Sequence, residues 1–136
     1  MKLSRAAGYA LAALVYLTRQ QQEKPLPSHK IADKSGLSEK YLLKALRPLA
    51  MADMLRSVKG PRGGYRLNRP AKEISVLEVV EAVDGPLPGE APHVGGAGTD
   101  ALDRRLDDVC RQAAEAVRDC LRDVTLVDLA PPKKKK

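Results

Sequence analysis

The residues best equipped for chemistry fall into three sets. The first is a basic, glycine-rich stretch, SVKGPRGGYRL, from Ser57 to Leu67. Its cations Lys59, Arg62 and Arg66 alternate with Gly60, Gly63 and Gly64. Glycines let a backbone reverse and come close to a bound anion. A phosphate-cradling loop, a flexible linker and a nucleic-acid-reading wing would each use such a stretch. The second set is a pair of thiols, Cys110 and Cys120. The third is the pair of imidazoles, His29 and His93. There is no Ser–His–Asp or Cys–His constellation and no closely spaced set of metal ligands. The sequence therefore predicts no enzyme, no catalytic residue and no metal site.

Charge narrows the first set. Residues 1–70 carry 14 Lys and Arg against 4 Asp and Glu, whereas residues 71–132 carry 6 against 13. Four lysines then close the chain. A basic half followed by an acidic one points to a polyanion partner for the first half alone. Aromatic residues are only 3% of the chain, with no Phe or Trp, so the core must be built from Leu, Val, Ala and Met. The opening MKLSRAAGYALAALVYLTRQ has the charge-then-apolar order of a signal peptide. It lacks a small-residue cleavage site, so it is expected to be a structural helix of a cytoplasmic protein. No stretch has the length of a membrane span, and two cysteines make no disulfide framework.

Hydrophobic spacing supplies the elements that position these residues. Leu3, Ala7, Ala10, Leu11, Leu14 and Leu17 predict a helix over about 3–20. Ser28 is expected to cap a short helix to Ser35, broken by Gly36. Ser38 is expected to cap the next, with Leu42, Leu43, Leu46, Leu49 and Ala50 facing the core. Ser38, Glu39, Lys40, Tyr41, Lys44 and Arg47 are left for solvent or a ligand. Helix, glycine turn and helix form the helix-turn-helix signature. Pro48 removes the bond to the Lys44 carbonyl, so a kink or an early end is expected there. Asp53 falls in the turn that follows. Leu55–Lys59 and Gly64–Asn68 read as a hairpin. Ser75 should cap a nearly all-apolar helix, Val76–Val83.

The stretch 85–99, GPLPGEAPHVGGAGT, holds five glycines and three prolines. It is expected to be a loop that contributes no core. From Asp100 a long helix carries an apolar stripe: Leu102, Leu106, Val109, Cys110, Ala113, Val117, Cys120, Leu121 and Val124. Such a helix either folds back on its own domain or pairs with a twin. Pairing is favoured, because the N-terminal domain reads as already complete. Thr125 should cap a last turn, Leu126–Ala130. The organisation is thus 1–84, a winged helix-turn-helix domain; 85–99, a Gly/Pro-rich loop; 100–130, a dimerisation helix with its terminal turn; and 131–136, a basic tail for non-specific DNA affinity or solubility. The fold class is mainly α with a two-stranded β wing.

This order answers the question set by SVKGPRGGYRL. The phosphate-loop pattern GxxxxGK[ST] is missing, and Tyr65 and Leu67 resume strand alternation at once, which a linker would not do. A wing remains, with Pro61 stiffening its turn and an arginine at the tip suited to a narrow minor groove.

The same stretches carry a family resemblance. MKLSRAAGYALAAL, IADKSGLSEKYLLKALRPL, the wing KGPRGGY, ISVLEVVEAVDGPL and DVTLVDL resemble the Rrf-two family of bacterial transcription regulators. The likeness covers Met1 to about Leu87 and about Leu102 to Leu129. It implies a homodimeric winged helix, a repressor that binds a near-palindromic DNA operator. Helix 38–47 would lie in the major groove and wing 57–67 in the minor groove. It implies DNA contacts at Ser38, Lys40, Tyr41 and Lys44 on the helix, and at Lys59, Gly60, Pro61, Arg62 and Gly63 in the wing. Ser4, Tyr9 and Ser28 would touch phosphate. Helix 101–123 would cross its twin. Leu43 stands where some relatives carry an acidic, base-reading residue, so their operator sequence is not expected to transfer. The alternative, from another class, is a winged-helix module that binds a partner enzyme through the acidic half.

The sensor region departs from the family. Many relatives hold an iron–sulfur cluster on three cysteines before the dimer helix, and residues 85–105 here contain none. Cys110 and Cys120 come later, about 15 Å apart along a helix and roughly 80° apart around it. One chain cannot bring both to one cluster. They read as small hydrophobes of the stripe, or as a redox pair between chains. His93 is a weak candidate ligand. No cofactor is expected. The signal is left open between a small metabolite, a partner protein and thiol oxidation.

Overall fold

The computed structural model describes residues 2–20 and 24–130. Within them lie α1 (Arg5–Gln20), α2 (Ser28–Ser35), α3 (Glu39–Met51), β1 (Leu55–Val58), β2 (Gly64–Leu67), a 3₁₀ turn at Ala71–Glu73, α4 (Val76–Asp84), α5 (Asp100–Arg122) and α6 (Leu126–Leu129). The expected lysine tail lies outside the described residues.

Ser4 starts α1, its Oγ accepting the Ala7 N–H at 3.0 Å, which satisfies one of the helix's free donors. The inward face of α1 is small: Ala7, Ala10, Ala13, Leu14 and Leu17 are buried. Alanines at that spacing let α2, α3, α4 and α6 all pack around one central helix. Ser28 is the first residue of α2 and not its cap; that place is held by Pro27. The rigid φ of Pro27, −61°, pre-sets the entry to the helix. Gly36 (φ 69°) ends α2.

Of the kink or early end expected at Pro48, the early end does not occur: α3 runs through the proline to Met51. The lost bond is offset by burial on both sides, since Leu46 and Leu49 are fully enclosed, and the Pro48 carbonyl still accepts from Ala52 at 3.0 Å. Leu43 is not a core residue: it is 41% exposed, while Ala45 takes the inward place. Asp53 turns the chain with a positive φ of 60°, a conformation aspartate tolerates better than most residues.

β1 and β2 pair antiparallel, Leu55 opposite Leu67 and Val58 opposite Gly64. A third piece of backbone joins them. Leu26 exchanges both hydrogen bonds with Tyr65, at 2.9 and 2.8 Å. The base of the hairpin is thereby stitched to the segment that enters α2.

The C-terminal part closes on the N-terminal part. Ser75 and Glu78 form the capping box of α4, and Glu78 also pairs with Arg69 at 3.1 Å. Ser75 bridges Thr125, the Val76 N–H donates to Val124 at 2.8 Å, and the Leu126 N–H donates to Ile74 at 3.0 Å. Leu126 is fully buried in the cluster that holds Leu14, Leu46, Ile74 and Val79. The N-terminal unit is therefore not complete by residue 84; its core needs a residue from beyond the long helix.

Candidate nucleic-acid interface

The outward surface of α3 follows from its burial pattern. Leu42, Ala45, Leu46 and Leu49 face the core. Ser38, Glu39, Lys40, Tyr41, Leu43, Lys44 and Arg47 are exposed. Tyr41 is 56% exposed, which rules out a core role. Tyr9 meets it edge to face, the centroids 6.4 Å apart and the rings at 85°. Lys44 Nζ lies 5.9 Å from the Tyr41 centroid. Both geometries are favourable for an aromatic ring, so Tyr41 stands supported on the surface. Ser38 occupies the N-cap place, but its side chain does not bond back to the helix.

The two other serines have protein partners. Ser4 Oγ accepts from Ala7 and donates to Asp84. Ser28 Oγ donates to Glu39 Oε1 at 2.9 Å, tying α2 to the first turn of α3.

The wing tip is a closed turn. The Gly63 N–H donates to the Gly60 carbonyl at 2.9 Å, with Pro61 and Arg62 between them. Lys59, Gly60, Pro61 and Arg62 are exposed. A Cβ on Gly63 would lie 2.1 Å from the Val58 carbonyl oxygen, and one on Gly64 would lie 2.2 Å from that of Leu26. No side chain fits at either place. The glycines thus set the shape on which Lys59 and Arg62 are presented. Lys40, Lys44 and Arg47 on α3 and Lys59 and Arg62 on the wing form the exposed cationic set. Arg47 is not among the contacts the resemblance implies, but its spacing from Lys40 and Lys44 puts it on their helical face.

The apolar stripe of α5 is divided. Only Asp103 and Ala114 of this helix are buried. Leu121 and Val124 pack inside the chain against Ala7, Val76 and Val80. Cys110, Ala113, Ala114 and Val117 line a groove of about 490 Å³ with Leu87, Pro88, Glu90 and Lys2. Leu102 (49%) and Val109 (60%) remain exposed, as do Ala113 and Cys120, while Leu106 is half-buried.

The loop 85–99 does contribute to packing, contrary to expectation. Asp107 Oδ1 accepts the Ala91 N–H at 3.3 Å and Asp103 Oδ1 accepts that of Val94 at 3.0 Å. Arg118 donates to the Leu87 carbonyl, and Ala91 is buried. Carboxylates on α5 supply partners that a glycine-rich loop cannot find in itself. The signal was Asp103 and Asp107, four residues apart beside the apolar stripe.

Comparison with known proteins accords with this architecture. Residues 3–132 match the family model Rrf2, described as an iron-dependent transcriptional regulator. The chain belongs to the Rrf2 family. It is 34% identical over 133 residues to the HTH-type transcriptional regulator IscR of Vibrio atlanticus, covering 95% of this chain and 75% of that one. Among solved structures, CymR, the global cysteine regulator of B. subtilis, superposes with a TM-score of 0.75 at 28% identity, over 96% of each chain. The oxidised form of Staphylococcus aureus CymR gives 0.68 at 32% identity, over 99% of this chain and 100% of that one.

As an Rrf2 protein the chain is a winged-helix, DNA-binding transcription regulator and not an enzyme. Membership favours that reading over a module that only binds a partner enzyme. No helix among the described residues is long and apolar enough to cross a membrane. The three-cysteine donor set of cluster-bearing Rrf2 proteins does not fit this chain. The loop offers no thiol, and Cys110 and Cys120 sit ten residues apart on one helix. Among the described residues no three His, Cys, Asp or Glu side chains are grouped to hold a metal ion.

Proposed function

We propose that the chain is a homodimeric repressor that binds a near-palindromic operator without an iron–sulfur cluster. The observation that carries this reading is the pairing of two exposed surfaces of opposite chemistry. One is the cationic outer face of α3 with the wing tip. The other is the apolar face of α5 around Leu102, Val109 and Cys120, which no described residue covers. The first suits phosphates and base edges in the major groove, with the wing reaching the adjacent minor groove. The second suits a twin helix, and two-fold pairing makes the operator symmetric.

In this reading Ser38, Lys40, Tyr41 and Lys44 contact DNA from the helix, and Lys59, Gly60, Pro61, Arg62 and Gly63 present the wing. Tyr9 acts through Tyr41. Ser4 and Ser28 act more through Asp84 and Glu39 than by phosphate contact. Leu121 and Val124 fix α5 to its own domain and leave the exposed part of the stripe to the twin. Cys110 and Cys120 serve as small apolar residues of that helix.

Selection of binding sites from random duplex DNA with the purified protein tests the proposal, alongside its mass in solution. A two-fold symmetric site bound by a dimer, and lost in Lys44→Ala and Arg62→Ala, is the expected result. Binding with no enriched sequence that simply fades with salt would sink it.

A further inference from the structure

The outer face of α3 is not uniformly polar. Lys40, Leu43, Lys44, Arg47 and Met51 follow one another at steps of three, one, three and four residues, which places them on one stripe of a 3.6-residue helix. That stripe is opposite Leu42, Ala45, Leu46 and Leu49, so Leu43 has no core to join. It is 41% exposed, one turn beyond Lys40 and one turn before Arg47. Its cationic neighbours can meet phosphates or the acceptor atoms of bases. A leucine side chain can neither donate nor accept a hydrogen bond. The major groove offers one apolar feature, the C5-methyl group of thymine. Placed beside any other base edge, Leu43 would strip water from polar atoms and return nothing.

We propose that Leu43 determines sequence specificity by reading a thymine methyl group in each half of the operator. The inference rests on the regulator reading above and adds a residue and a base to it. Position along the helix supports it. Leu43 lies in the N-terminal half of α3, the part of a recognition helix that meets base edges. Met51, the other exposed apolar residue of the stripe, is 82% exposed at the far end and serves as the control. Leu43 is also a wall of a shallow groove of about 610 Å³ shared with Lys44, Arg47, Pro48, Met51, Ala52 and Ala82.

The test uses the operator selected with the intact protein, with each thymine replaced in turn by deoxyuridine. That change removes the methyl and nothing else. At one symmetric pair of positions the wild type should lose about fourfold in affinity per half-site, the worth of one buried methyl. Leu43→Ala should bind more weakly and treat thymine and deoxyuridine alike, with an unchanged melting temperature. Met51→Ala should discriminate as the wild type does. If an operator is found but the wild type ignores every methyl, or Leu43→Ala still discriminates, Leu43 is not the reader. If no operator can be selected at all, the regulator reading fails first and the proposal falls with it.

Discussion

Two segments of this chain share a composition and differ in physics. The wing tip, residues 59–64, and the loop 85–99 are both rich in glycine and proline. In the wing, Gly63 and Gly64 are forced by the space around them. Backbone atoms of Val58 and Leu26 occupy the space where a Cβ at Gly63 or Gly64 would stand. In the loop, Gly85, Gly95 and Gly98 have positive φ but face open space, and the hydrogen bonds that hold the loop come from outside, from Asp103, Asp107 and Arg118 on α5. One segment is shaped by its own backbone, the other by the helix it lies on. The lesson is that glycine content does not report mobility; what matters is where the neighbouring hydrogen-bond partners come from.

The comparison breaks first at Gly64. Its φ is 149°, and a methyl group there would meet the Leu26 carbonyl that accepts from Tyr65. Gly64→Ala should pull the Leu26 bridge apart and cost about 3 kcal/mol or more in urea unfolding, with loss of DNA binding. A fully stable variant would show that the backbone around Gly64 gives way to a side chain.

The loop should fail differently. Asp103 is only 8% exposed, and it holds the Val94 N–H beside His93. Asp103→Ala should cost about 1.5–3 kcal/mol of local stability, the range for a hydrogen bond to a charged group. Hydrogen exchange reads this residue by residue. The Ala91 and Val94 amides should speed up, while Gly63 and Tyr65 should not. Acceleration at all four would mean that loop and wing open together.

Much of this architecture was legible because its signals are local. The α1 spacing, the Gly36 turn, the Ser75–Glu78 box and the alternation at Tyr65 and Leu67 each lie within a few residues. What escaped was non-local or angular. Leu26 pairs with Tyr65 as a single bridge between two prolines, where no strand pattern can form. Leu126 enters a core whose other members lie at least 47 residues earlier in the chain, the nearest being Val79. Leu42 and Leu43 are equally apolar, and only a rotation of about 100° sends one inward and the other toward the ligand. Ser4 looked free to meet phosphate; its cap bond and its bond to Asp84 depend on where α1 and α4 end up.

A milder change separates shape from charge within the wing. Arg62 is exposed at the tip, so Arg62→Ala should alter stability by no more than about 0.5 kcal/mol. If it meets a phosphate in the minor groove, operator affinity should fall. The slope of log affinity against log salt should then shrink by about 1. An unchanged slope would take Arg62 off the DNA while leaving the wing's fold as described.

The smallest effect should have the opposite sign, and it lies in the loop. Gly96 does not have a positive φ, and a Cβ there would meet only Thr99 Cγ2, at 3.5 Å, an ordinary contact. Its carbonyl accepts from the Thr99 N–H at 3.2 Å and from the Thr99 hydroxyl at 2.7 Å, which alanine preserves. Alanine has less backbone freedom to lose from the unfolded chain. Gly96→Ala should therefore stabilise the protein by about 0.4–1 kcal/mol, read as a higher urea midpoint with an unchanged slope. The same substitution is ruinous at Gly64 and favourable here because one Cβ meets fixed backbone and the other meets a methyl group at contact distance. If Gly96→Ala instead destabilises, the loop needs glycine for its own path, and the contrast between a self-shaped wing and a helix-shaped loop is weaker than drawn.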